Sequence, residues 1–209
     1  MTDRSCQLYL ISPLEVGGAF PERLVRALDA SQELGGPVAA FQFRVKNIDE
    51  HAAVRLAEPL QRICAERDVA FIVNDSISLA KRLGADGVHL GQSDGEVQDA
   101  RERLGREAQI GVTCHASRHM AMQAGEDGAD YVAFGAFFPT TTKEVEHHAE
   151  PEILEWWQGL FELPCVAIGG ITPANCPPLI EAGADFLAVS GAVWGRDEVE
   201  AIKAFAKLL

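Results

Sequence analysis

Three stretches of this chain are near-copies of one unit: Gly84-Ala-Asp-Gly-Val-His-Leu-Gly91, Gly128-Ala-Asp-Tyr-Val-Ala-Phe-Gly135 and Gly183-Ala-Asp-Phe-Leu-Ala-Val-Ser-Gly191. Each follows a helix-like segment, at residues 77–83, 118–126 and 178–182. The leading glycine fits a left-handed helix stop, which glycine reaches without a Cβ clash. A short, mostly apolar run follows, of the kind that forms a strand covered on both faces. The closing glycine lets the backbone turn or lets a ligand approach closely. A helix–stop–strand unit used repeatedly restricts the fold to alternating helices and parallel strands.

Five further strand candidates lie between these units, at residues 7–11, 38–43, 70–73, 109–112 and 165–168. Amphipathic segments at 22–33, 52–66, 96–104, 151–159 and 197–208 separate them. In the second of these segments Ala53, Leu56, Ala57, Leu60, Ile63 and Cys64 recur at helical spacing, and Pro59 marks either a kink or the true helix start. Eight strands alternating with helices, at about 26 residues per unit, predict an α/β fold, a (β/α)8 TIM barrel. A flavodoxin-like sheet needs about five strands and would leave about three unplaced. No linker, low-complexity tract or charge block divides residues 1–209, so one barrel domain is expected.

The apolar fraction of 47% is enough for a large core in 209 residues. A net charge of −13 argues against a nucleic-acid partner, which would require a basic face. It leaves room for a phosphorylated substrate, because a few local cations can dominate a cleft. The five cysteines form no C-x-x-C pair, so neither a disulfide framework nor a zinc site is expected. The apolar run at 8–11 is too short for a signal core or a membrane span. A cytoplasmic protein without membrane association is expected, and a homo-oligomer is compatible with the sequence.

In such a barrel the chemistry gathers at the C-terminal ends of the strands. The second strand ends in Gln42-Phe-Arg44-Val-Lys46, and alternation points Gln42, Arg44 and Lys46 the same way. Two cations and an amide on one face suit a multiply charged phosphate, with arginine able to grip it bidentately. The third strand ends in Asn74-Asp75 and the fourth in Gly91-Gln-Ser-Asp94. Two carboxylates facing one cavity suit Mg²⁺ when phosphate oxygens and waters complete its shell. The competing role for each aspartate is to cap the following helix. Thr113 ends the fifth strand, and the sixth runs from Tyr131 into Pro139, Thr140, Thr142 and Lys143. The last two strands end in Gly169-Gly170 and Ser190-Gly191, the usual position of a barrel phosphate cup. His89 alternates with apolar neighbours and reads as an interior, hydrogen-bonded histidine. His147 and His148 sit in an acidic loop without metal-ligand spacing, and the tryptophans read as packing residues.

Taken together, Gln42-x-Arg44-x-Lys46, the interval from Asn74-Asp75 to Gln92-x-Asp94, and Phe138-Pro-Thr140-x-Thr142-Lys143 resemble the thiamine phosphate synthase family from Leu8 to about Val193. The resemblance implies a Mg²⁺-dependent transferase that joins hydroxymethylpyrimidine diphosphate to hydroxyethylthiazole phosphate and releases pyrophosphate. It implies Asp75 and Asp94 as metal ligands, and Gln42, Arg44, Lys46, Asn74, Thr113 and Lys143 around the pyrimidine diphosphate. Arg44, Lys46 and Lys143 would stabilise the departing pyrophosphate. Thr140, Thr142, Gly170, Ser190 and Gly191 fall on the thiazole phosphate side. The chain departs from the family at Gly191, where alanine is common, and at Phe43 and Val45 between the clamp residues. Two alternatives stay open here: a thiazole tautomerase-like isomerase, and a non-catalytic regulatory barrel that binds thiazole phosphate.

Overall fold

The computed structural model describes residues 6–140 and 148–209. Its eight strands are β1 (Gln7–Ile11), β2 (Val38–Phe43), β3 (Ala70–Asn74), β4 (Gly87–Leu90), β5 (Gln109–His115), β6 (Tyr131–Gly135), β7 (Cys165–Ile168) and β8 (Phe186–Val189). They pair in parallel in sequence order, and β8 pairs with β1 to close a barrel. The connecting helices are α1 (Phe20–Glu33), α2 (Glu50–Ala65), α3 (Ile77–Leu83), α4 (Val97–Leu104), α5 (Arg118–Glu126), α6 (Glu152–Gln158) and α7 (Pro177–Glu181). Two more, α8 (Gly191–Trp194) and α9 (Glu198–Ala206), follow β8.

The repeated unit fastens the N-terminal end of this barrel. Its leading glycines have φ of 58° at Gly84, 91° at Gly128 and 95° at Gly183. At each, the glycine N–H bonds the carbonyl three residues back and the alanine N–H bonds the one five back, a Schellman stop. The aspartate then reaches sideways to the start of the preceding strand. Asp86 accepts the Phe71 N–H at 2.7 Å, Asp130 the Ile110 N–H at 2.7 Å and Asp185 the Cys165 N–H at 2.8 Å. Three even-numbered strands are thus tied to their odd-numbered neighbours by charge-assisted bonds. The unit belongs to the stability of the barrel, and the candidate site residues lie at its opposite end.

The main core lies between strands and helices. A smaller cluster, including Tyr9, Ile11, Ala40, Ile72, Tyr131, Val166 and Ala188, packs separately from it. Trp157 is fully buried, and Trp194 donates its indole N–H to the Ile11 carbonyl at 2.7 Å, so both are packing residues. All five cysteines are buried and free. α2 continues through Pro59 from an Asp49 cap that accepts the Ala52 N–H, so the proline marks no start. β5 is longer than expected and shifts register between Thr113 and His115. Among the described residues no helix is long and apolar enough to cross a membrane.

Candidate active site

Ser12, which follows directly on β1, is fully buried. Its hydroxyl accepts the Arg44 N–H at 2.9 Å and donates to the Arg44 carbonyl at 3.2 Å. This pins the backbone just beyond β2, so Arg44 leaves the barrel on a fixed track. Two residues earlier, Gln42 is buried and donates to the Tyr9 phenol at 3.0 Å. The Nη1 of Arg44 is itself buried and has no hydrogen-bond partner among the described residues. Buried guanidinium nitrogens are nearly always paired, so this one offers a donor to an anion.

Asp75 adopts φ of 65° directly after Asn74 and donates its N–H to the His89 carbonyl at 2.8 Å. It does not cap α3, because Ser76 does, accepting the Leu79 N–H at 3.2 Å. Asp94 does not cap α4 either: its carboxylate turns back to accept the Gly91 N–H at 2.9 Å. A Cβ at Gly91 would collide with that same oxygen. The capping role considered for both aspartates is therefore absent. Instead the two carboxyl groups are near enough for the Asp94 charge to act on Asp75. Burial, followed by the Asp94 charge, pushes the Asp75 pKa above the usual carboxylate value, while Lys46 and Arg44 pull it down.

Two neighbouring carboxylates repel each other, and a cation between them relieves that repulsion. Among the described residues no group of three or more His, Cys, Asp or Glu could hold a metal unaided. Two carboxylates beside Arg44 and Lys46 do fit Mg²⁺, which keeps several waters and usually takes substrate phosphates as its remaining ligands.

Thr113 on β5 places its hydroxyl 2.9 Å from His89 Nε2, and its carbonyl accepts from the Gln92 amide at 2.6 Å. His89 is the interior histidine that its alternation implied. On the other side of the barrel mouth, Gly170 has φ of 61°, and a Cβ there would strike Phe138 and the Pro139 carbonyl. The paired glycines let the end of β7 lie against the loop that carries Thr140. That packing is a reason for glycine which the expected phosphate cup did not include. Ser190 precedes α8 without capping it through its hydroxyl, and a Cβ on Gly191 would meet nothing within 4 Å. Thr142, Lys143 and His147 lie outside the described residues.

A sequence model of the family described as Thiamine monophosphate synthase matches residues 8–193. A thiamine-phosphate synthase from Erythrobacter litoralis is 70% identical, covering 99% of this chain and 96% of its own. One from Rhodospirillum centenum is 56% identical over 94% and 92% of the two chains. The solved thiamine phosphate pyrophosphorylase from Pyrococcus furiosus superposes with a TM-score of 0.83 at 30% identity, covering 98% of this chain and 96% of its own. Matches of that extent and identity establish that this chain belongs to the thiamine monophosphate synthase family of transferases.

Proposed function

We propose that the chain makes thiamine phosphate by joining hydroxymethylpyrimidine diphosphate to hydroxyethylthiazole phosphate with release of pyrophosphate. The observation that carries this reading is the Asp75–Asp94 pair beside Arg44, whose buried Nη1 lacks a partner among the described residues. A site with two carboxyls and two cations suits a metal-bound diphosphate, for which an isomerase of a thiazole monophosphate has no evident use.

An aminopyrimidine stabilises a benzylic-type cation, so the carbon–oxygen bond can break before the thiazole nitrogen attacks. Arg44 and Lys46 then hold the developing negative charge on the departing diphosphate, an electrostatic contribution prepared in advance by the Ser12 clamp. Lys143 would add a third cation from the loop after β6. Asp75 and Asp94 would hold Mg²⁺, which when bound supplies Lewis-acid charge to the leaving group. Gln42, Asn74 and Thr113 orient the pyrimidine. Thr140, Thr142, Gly170, Ser190 and Gly191 bind the thiazole phosphate and keep its nitrogen in line, which lowers the entropic part of the barrier. The closed eight-stranded sheet supports residues 1–209 acting as one domain. A cytoplasmic site of action fits the reduced cysteines.

The test is product formation from the two phosphorylated precursors with and without Mg²⁺. Metal-dependent thiamine phosphate is the expected result. Folded protein that binds thiazole phosphate yet forms no product would overturn the reading in favour of a binding barrel.

A further inference from the structure

A polar chain crosses the barrel interior toward the C-terminal ends of its strands. Gln42 Nε2 donates to the Tyr9 oxygen at 3.0 Å, and the Tyr9 and Tyr131 oxygens lie 2.9 Å apart. The Tyr131 oxygen is 3.0 Å from His89 Nδ1, and His89 Nε2 is 2.9 Å from Thr113 Oγ1. Gln42, Tyr9, Tyr131 and His89 are all buried. The rings hold one another in place, with Tyr9 and Tyr131 centroids 5.9 Å apart and His89 stacked on Tyr131 at 5.6 Å.

Counting protons gives this chain a direction. An amide nitrogen only donates, so the Tyr9 oxygen accepts from Gln42 and its single proton goes to Tyr131. Tyr131 must then give its own proton to His89 Nδ1, which carries the lone pair. A neutral imidazole that accepts at Nδ1 is protonated at Nε2 and donates to Thr113. The Thr113 proton is left to point outward. Burial pushes the Tyr9 phenol up to about 12 and raises Tyr131 well above the ordinary phenol value, so both stay protonated. Turning the Gln42 amide over would reverse every link together. A single link cannot reverse alone without leaving two protons, or none, between one pair of atoms.

We infer that Tyr9 is a positioning residue: through Tyr131 and His89 its phenol ties the amide orientation of Gln42 to the hydroxyl orientation of Thr113. The inference rests on the reading above, in which Gln42 and Thr113 contact the pyrimidine substrate. An aminopyrimidine edge carries both a donor and acceptors, so it is read correctly only when the groups facing it are set as a pair. Tyr9 touches no substrate in this scheme and acts on it from behind Gln42.

Tyr9→Phe removes one oxygen and cuts the chain. The KM for the pyrimidine diphosphate should rise about fivefold or more, with the KM for thiazole phosphate unchanged within about twofold. Tyr131→Phe cuts the next link and should show the same selectivity, which covers the case of a Tyr9 variant that folds poorly. Equal effects on both substrates, or a lower melting temperature with neither KM changed, would mark a packing role and overturn the inference. The decisive readout is a cycle of Gln42→Leu and Thr113→Val on kcat/KM for the pyrimidine substrate. The double variant should lose about fivefold less than the product of the single losses, and this coupling should vanish in a Tyr9→Phe or Tyr131→Phe background. Single losses that multiply would overturn the relay and leave the substrate reading intact. Single variants without effect would remove the substrate reading, and the relay with it.

Discussion

Arg44 holds a buried nitrogen without a partner among the described residues, and an Arg44→Met variant turns that observation into two opposite signs. Methionine keeps the aliphatic bulk and removes the unpaired donor, which costs about 1–3 kcal/mol while buried. Part of the gain is offset, because Arg44 also helps ionise Asp75. The expected net effect is about 1 kcal/mol of added stability, or about 2–4 °C in Tm for a chain of this size. Activity should move the other way. Each charge-assisted bond to the leaving group contributes about 1.5–3 kcal/mol. Loss of about 2–4 kcal/mol at the transition state lowers kcat/KM by about 30- to 1,000-fold. Scanning calorimetry of the ligand-free protein and a pyrophosphate-release assay read the two signs separately. A lower Tm together with an unchanged kcat/KM would refute the reasoning, since the guanidinium would then be paired at rest and idle in catalysis.

Asp75 carries a pH signature. Its folded pKa is raised above the unfolded value, so its contribution to metal-free stability is complete below the ordinary aspartate range and is lost as pH rises through the raised value. The Tm of the wild type should fall over that window relative to Asp75→Asn, and parallel curves would contradict the assignment. Gly191→Ala places a Cβ in open space and needs no positive φ, so Tm should rise by about 1–4 °C and the KM for thiazole phosphate should fall as the turn stiffens; calorimetry and steady-state kinetics check both, and a raised KM would mean that the phosphate occupies the space. Asp185→Ala strands the Cys165 N–H and the Gln158 amide, so a loss of about 3 kcal/mol in urea melts with both KM values unchanged is expected; altered kinetics would place the repeated aspartate in the site.

The strand count was legible because each Gly-Ala-Asp unit announces a helix stop and a strand start through local chemistry. The function of its aspartate was not legible, since the Phe71, Ile110 and Cys165 N–H groups that it holds lie about 15–20 residues earlier and become neighbours only through sheet pairing. The four-residue α8 left no periodic pattern to find, and the end of β5 was lost at a register shift. In the candidate site, the placing of Gln42, Arg44, Asp75 and Asp94 at the strand ends was legible from alternation and strand boundaries. The choice between capping and pairing for Asp75 and Asp94 required the observed cap at Ser76 and the bond from Gly91. Tyr9 and Tyr131 were hidden because a tyrosine inside an apolar strand reads as core. Ser12 could have been found, as the first polar residue after the apolar run of β1.

The claim that Asp75, Asp94 and Arg44 form one cation–diphosphate site is tested most directly by calorimetric titration with inorganic pyrophosphate, with and without Mg²⁺. The wild type should bind pyrophosphate at least about tenfold more tightly when Mg²⁺ is present, and an Asp75→Ala/Asp94→Ala variant with intact circular dichroism should lose that difference. Equal binding with and without Mg²⁺ in the wild type, or a metal effect that survives in the double variant, would contradict the assignment.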